Sequence, residues 1–252
     1  SLRPDLVLMA SAQPFDYPHP DWPAKVRQIG AASWEPPATE APWVRELAGP
    51  ITLVTTSSEY QHDESLARAA IGGLAGEPGT VVVTMPAGVP DDLGTLPANV
   101  GVERFAPHSQ LLARATVAVT HGGMGATQKA LAAGVPVCVV PFGRDQLETA
   151  ARVVHARAGT RLAKKRLTPA RLRAAVREAA RLIAEYANRA KPPPGDALGQ
   201  LRHQLGLHRD HGEVPPGDVV QVAGEAQPLL GDGELRLRLA GVVELAHHRR
   251  QP

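Results

Sequence analysis

The chain has one cysteine, Cys138, so it cannot form an internal disulfide. Cys138 sits in "VPVCVV" and reads as a small buried hydrophobe, which suits a reducing compartment. No run approaches the roughly 18 apolar residues that a transmembrane helix needs. The opening "SLRPDLVLMASAQPFDYP" is too short and too broken by proline for a signal peptide. A soluble cytoplasmic protein without a transmembrane segment is expected. Beginning at Ser1 rather than methionine, mid-pattern, the chain is expected to lack an original N-terminus. Its formal net charge of +2 gives no case for nucleic acid or acidic lipid as a partner. His208 and His211 have no cysteine or carboxylate cluster around them to complete a ligand set, so no metal is expected. The P-loop pattern G-x-x-x-x-G-K-[ST] is absent. The dinucleotide pattern G-x-G-x-x-G, counted from Gly123, fails at Gln128, which argues against a nicotinamide oxidoreductase.

Apolar residues make up 43% of the 252, enough for a core. Residues 1–50 hold one short strand candidate, "DLVLMAS", and then prolines with Trp22, Trp34 and Trp43. They read as an irregular connector, whose tryptophan segment 22–43 is a candidate docking surface. From residue 51 the pattern changes. "ITLVTT" (51–56), "TVVVTM" (80–85), "VGVERF" (100–105), "TVAVTH" (116–121) and "VPVCVV" (135–140) are short, β-branched and bounded by turn residues. Helical patterns at 63–75, 109–114, 125–133 and 145–157 alternate with them. Strands apolar along their whole length, alternating with helices, predict a parallel sheet covered on both faces.

A long helix is predicted to open at Thr168-Pro169, with an apolar stripe of Leu172, Val176, Ala179 and Ile183. The arginines and lysines between Arg161 and Arg181 read as its solvated outer face, an anionic partner being the alternative. After "KPPPGD" (191–196) the periodicity fails, and five of the ten histidines fall within 203–248. This tail reads as an irregular Pro/Gly/His/Arg-rich extension, with a shifted or read-through frame as one reading of its origin. The expected division is a connector (1–50), a Rossmann-like α/β unit (51–190) and the tail (191–252).

Two loops carry the chemistry. "THGGMGAT" follows a strand and precedes a helix. Gly122, Gly123 and Gly125 allow a tight turn and close approach of a ligand, and the helix start presents unpaired N–H groups. A phosphate fits there. His121, at the strand's carboxyl end, can donate to the same anion. A plain glycine turn with a capped histidine is the alternative. "VPFGRDQLETAARVV" places Asp145 and Gln146 after the next strand. A carboxylate beside a carboxamide suits vicinal hydroxyls, whereas taken alone it suits a helix N-cap. In a doubly wound sheet both loops meet at the carboxyl edge.

"LPANVGVERFAPHSQLLARATVAVTHGGMGATQKALAAGVPVCVVPFGRDQLETAARVV" resembles the donor-binding half of a GT-B glycosyltransferase, of the UDP-glycosyltransferase type that includes the macrolide and natural-product enzymes. The resemblance covers roughly residues 1–185. It implies a Rossmann-like doubly wound parallel sheet forming one half of a GT-B enzyme. It also implies inverting, metal-independent hexosyl transfer from a UDP- or dTDP-sugar to a hydroxyl of a small lipophilic acceptor, as in antibiotic biosynthesis. No cofactor is implied; the nucleotide sugar is a substrate.

Carried over residue by residue, Phe105 would lie beside the nucleobase, with Pro107-His108 closing that loop. His121, the glycines Gly122, Gly123 and Gly125, and the amides through Ala126 and Thr127 would hold the diphosphate. Ser57 and Ser58 would approach the phosphates, and Asp145 and Gln146 would bind hydroxyls of the donor sugar. The chain departs from the family at Lys129, where UDP-glucose users often carry a ribose-gripping glutamate; dTDP is thereby as plausible as UDP. Ala126 replaces a small hydroxyl residue. The resemblance places the catalytic base in an acceptor domain before the donor domain, and neither His19 nor His62 matches it. The expectation is a chain lacking its acceptor domain, either truncated or completed by a partner polypeptide. A non-catalytic nucleotide-sugar binder, a regulatory partner and a decayed gene product are the alternatives.

Overall fold

The computed structural model describes residues 4–35 and 41–187, with side chains through residue 182, and two short segments, Leu235–Arg236 and Ala246–His247, paired antiparallel. The rest of the tail expected over 191–252, with His208 and His211, lies outside the described residues, as does the side chain of Ile183.

Strands β1 (Val7–Met9) and β2 (Val26–Gln28) form a separate parallel pair. Helix α1 (Pro42–Glu46) leads into the main sheet. There the chain alternates β3 (Ile51–Thr55), α2 (Glu64–Gly73), β4 (Thr80–Thr84), β5 (Val100–Glu103), α3 (His108–Leu112), β6 (Ala115–Thr120), α4 (Met124–Ala132), β7 (Val137–Val139), α5 (Gln146–His155), β8 (Gly159–Arg161) and α6 (Pro169–Ala187). The six strands are all parallel, in the order β5-β4-β3-β6-β7-β8. Two series therefore run outward in opposite directions from the β3/β6 boundary, which is the doubly wound α/β arrangement.

Both faces of the central strands β3, β4, β6 and β7 are covered, which explains why these strands are largely apolar. Leu53, Ala118, Val137 and Val139 face one layer with Leu111, Leu112 of α3, Ala130, Leu131 of α4 and Ala150, Val153 of α5. Val54, Val117, Val119 and Cys138 face the opposite layer with Leu66 and Ala70 of α2 and Leu172, Val176 and Ala179 of α6. Each fully buried Leu or Val contributes roughly 1.5–3 kcal/mol. Cys138 is sealed in the second layer, and burial pushes its thiol up to about 11. Thr168 opens α6 as expected: its hydroxyl accepts the Arg171 amide at 3.3 Å, with Pro169 at the first helical position. Arg177 on the outer face of that helix is bidentate to Glu77 at 2.8 and 3.0 Å. That pairing favours the solvated-face reading of the basic stretch.

The N-terminal region packs on the first layer. Phe15 and Val44 are buried there, and Asp16, 2% exposed, pairs with Arg152 of α5 at 2.8 Å. The three tryptophans do not form one exposed surface. Trp22 stacks on His19 with 3.9 Å between centroids, Trp43 packs against the core, and Trp34 alone stands out at 67% exposure.

Register is what positions the functional loops. Thr55 pairs with both Thr84 and Thr120, and Thr120 pairs with Val139. The four central strands end in line, so the loops beginning at Thr56, Met85, His121 and Val140 emerge side by side.

Candidate functional site

The loop after β6 turns at once into α4. Gly122 holds φ +94°, and a side chain there would meet Val139 and Gln146 at 3.0 Å. At Gly123, the N-cap, a Cβ would lie 2.5 Å from Nε2 of His121. The first glycine makes the turn and the second makes room for the imidazole. Gly125 differs: nothing lies within 4 Å of its missing Cβ, so the space over the helix start is open. No side chain caps α4. The first intrahelical bond runs from the Thr127 amide to the Gly123 carbonyl at 3.0 Å. The amides of Met124, Gly125 and Ala126 thus precede the helix's own acceptors and carry its positive dipole end.

The Thr127 amide, expected at the diphosphate, is the donor of that first intrahelical bond. Its side chain is fully buried, and its hydroxyl pairs with that of Thr120 at 3.3 Å. Thr120 in turn accepts the Gly122 amide at 3.0 Å. These threonines brace the turn from below while the earlier amides stay open.

His121 is 9% exposed, and its Nδ1 has no hydrogen-bond partner. A buried polar atom left unpaired costs about 1–3 kcal/mol and calls for an explanation. Burial holds the imidazole below its ordinary pKa, with Arg144 pushing the same way; Asp63, the Thr55 backbone and Asp145 oppose this. A neutral imidazole keeps one N–H donor and one acceptor.

The neighbouring β3–α2 loop is ordered by Asp63, whose Oδ2 accepts the buried Ser57 amide at 2.6 Å. The Ser57 hydroxyl accepts the Glu59 amide at 3.1 Å and retains its own proton to donate; Ser58 is exposed.

After β7, Asp145 is the N-cap of α5 yet makes no side-chain capping bond, and it is exposed. Its carboxylate occupies the N-cap position at the sheet edge without bonding to the helix. Gln146 is 3% exposed, and its amide is largely committed. Oε1 accepts the amides of Phe142 at 2.7 Å and Gly143 at 3.1 Å, and Nε2 donates to Gln61 at 2.8 Å. It fixes the loop carrying Asp145 and keeps one N–H for a ligand.

The β5–α3 loop presents Phe105 at 58% exposure. His108 turns inward, its Nε2 3.0 Å from the Thr84 hydroxyl, and burial lowers its pKa. Its amide and that of Ser109 donate to Glu35 at 2.7 and 3.1 Å. Glu35 also reaches Lys129 at 3.5 Å, and Lys129 donates to the Trp34 carbonyl at 3.2 Å. Burial raises the pKa of Glu35, but the Ser109 hydroxyl, Lys129 and the two amides hold it below the ordinary carboxylate value. Sequence reasoning did not find Glu35: it lies 94 residues from Lys129, and no periodicity links them.

Two depressions flank this edge. One of about 540 Å³ is lined by Pro141, Leu147, Arg161, Ala163, Lys164 and Lys165. The other, about 290 Å³, includes Thr56, Tyr60, Asp63 and Met85. Among the described residues there is no group of three or more His, Cys, Asp or Glu able to hold a metal, and no helix long and apolar enough to cross a membrane.

The chain is similar to known proteins. Residues 69–193 match the family described as "Erythromycin biosynthesis protein CIII-like, C-terminal domain". The chain is 41% identical over 200 residues to 4'-demethylrebeccamycin synthase of Lentzea aerocolonigenes, covering 74% of this chain and 47% of that enzyme. The fold matches the calicheamicin glycosyltransferase CalG4 with TM-score 0.61 and 28% identity, over 79% of this chain and 49% of that one. It also matches the glycosyltransferase VinC, solved in complex with dTDP, with TM-score 0.56 and 26% identity, over 75% of this chain and 45% of that one. The chain thus spans about half the length of these relatives.

Proposed function

Because residues 69–193 belong to the family of erythromycin biosynthesis protein CIII-like C-terminal domains, we propose that this chain is the donor-binding half of a GT-B glycosyltransferase. Residues 51–190 hold the nucleotide sugar, and residues 1–50 lead to the acceptor-binding half. The observation that carries the reading is the meeting, at one sheet edge, of an uncapped helix start, a buried histidine with an unpaired nitrogen and a free carboxylate at Asp145. The first two suit a diphosphate and the third suits sugar hydroxyls.

In the reaction, an acceptor hydroxyl attacks the anomeric carbon and the nucleoside diphosphate leaves with the bonding electrons, inverting the centre. The amides of Met124 to Ala126 and the N–H of His121 stabilise the charge gathering on the departing diphosphate, with no metal required. Asp145, with the remaining N–H of Gln146, orients the sugar. Phe105 offers a face to the nucleobase. Neither His19, stacked on Trp22, nor His62, bonded to Tyr60 at 2.8 Å, is poised as the base. The base and acceptor pocket belong to the acceptor-binding half, supplied by further chain or by a separate polypeptide. The β1–β2 pair supports such a neighbour, since a parallel pair with Leu8 52% exposed is the kind of sheet that is normally covered and extended.

Lys129 bears on the nucleoside. Its ammonium is held by Trp34 and Glu35, and Glu35 is itself engaged by two amides. Among the described residues no free carboxylate awaits a ribose 2′-hydroxyl at that position, so dTDP should bind at least as well as UDP. Calorimetric titration of the full chain with both nucleotides tests the reading. Binding of dTDP equal to or tighter than UDP is expected; no binding of either at millimolar concentration sinks the proposal.

A further inference from the structure

Arg144 is the residue of the β7–α5 loop that the donor-site reading leaves without a task. It stands directly before Asp145 with φ +53°, a left-handed conformation that a long side chain adopts only where its surroundings impose it. Those surroundings are visible. Gln146 gathers the amides of Phe142 and Gly143 and donates to Gln61 across the edge, and its own amide closes a turn on the Gly143 carbonyl at 3.2 Å. The same loop abuts the glycine turn, since a Cβ at Gly122 would lie 3.0 Å from that of Gln146. The loop that carries Arg144 therefore lies against the glycine turn that leads into α4.

Its partner is informative. The guanidinium pairs with Glu59 of the β3–α2 loop at 2.6 Å, and the two side chains are 60% and 68% exposed. A solvent-screened pair of this kind contributes little and is readily exchanged. Charge balance at the site favours such an exchange. A diphosphate brings at least two negative charges, while burial keeps His121 toward its neutral form and Lys129 is tied to Trp34 and Glu35. Of the charged side chains acting on His121, namely Asp63, Asp145 and Arg144, only the last is a cation. Guanidinium also matches phosphate oxygens in a bidentate fork.

We propose that Arg144 is a further donor-binding residue that leaves Glu59 to pair with the donor's diphosphate, Glu59 being an internal anion that competes for the same guanidinium. This rests on the donor-site reading above.

Calorimetry of the full chain with thymidine, dTMP and dTDP tests it, using wild type, Arg144→Asn and Glu59→Gln. Asparagine tolerates the left-handed conformation, so the first variant keeps the turn. Arg144→Asn is expected to weaken dTDP about tenfold or more, dTMP less and thymidine not at all. Glu59→Gln, which removes the competitor, is expected to tighten dTDP by about two- to fivefold. A merely structural staple between the loops predicts weakening from both variants. If wild type binds dTDP and Arg144→Asn binds it equally well, or loses thymidine to the same degree, Arg144 has no such role. Weaker dTDP binding by Glu59→Gln overturns the proposal too. If wild type binds no dTDP, the donor-site reading itself falls, and Arg144 with it.

Discussion

Helices α4 and α5 both start at the carboxyl edge of the sheet, after adjacent strands, and their first residues are built to opposite ends. The N-cap of α4 is Gly123, with no side chain to satisfy the amides that follow, and a buried imidazole lies against it. The N-cap of α5 is Asp145, which has a carboxylate but does not turn it back on its helix. Both helix starts lack a side-chain cap, and only the second holds a negative group in the open. A helix N-terminus normally settles its own amides through a capping side chain. Leaving one uncapped, and a ready cap unused beside it, costs stability and provides two adjacent sites of opposite character. A diphosphate and a sugar, joined through one bond, match that pair in order and in charge.

The sharpest way to break the comparison is at α4. His121→Ala is expected to cost about 1–3 kcal/mol of dTDP binding, read by calorimetry, with unchanged affinity ending the role assigned to the imidazole. The same variant carries a second signature. In the unfolded chain a histidine takes up a proton near 6.5, whereas burial holds His121 below that value when folded. As the pH falls through about 6.5 the unfolded state binds the proton first, so stability declines over that window. The decline should be shallower in His121→Ala, as followed by melting temperature, with the similarly lowered His108 sustaining what remains.

A smaller and more selective effect is expected at α5. Asp145→Asn should leave dTDP affinity unchanged and weaken a dTDP-hexose by about 1–2 kcal/mol, since only the sugar's hydroxyls meet that carboxylate. Equal weakening of both ligands would merge the two helix starts into one electrostatic site and dissolve the distinction between them.

Much of this was legible in the sequence, for a physical reason. Strands buried on both faces must be apolar at every position, so β3, β4, β6 and β7 stand out as continuous runs, and the glycines after β6 mark its turn. What escaped was either too short or too distant. β8 reads Gly-Thr-Arg, an edge strand with only half-buried and exposed positions, and its glycine is needed because a Cβ would strike the Val137 carbonyl at 1.8 Å. β2 is three residues with a partly exposed pattern. Spacing separates the function of Asp145 from that of Gln146 no better, because one points out and the other in, and only the fold decides which. The Trp34–Glu35 contact with Lys129 is tertiary and leaves no trace in periodicity.

The central claim is that the open amides of α4 receive the donor's diphosphate. Backbone NMR of the full chain titrated with dTDP, and with thymidine as the phosphate-free control, tests it most directly. The account predicts that the amide signals of Met124, Gly125 and Ala126 move strongly with dTDP and stay in place with thymidine. Binding of dTDP that leaves those three amides where they were would contradict it.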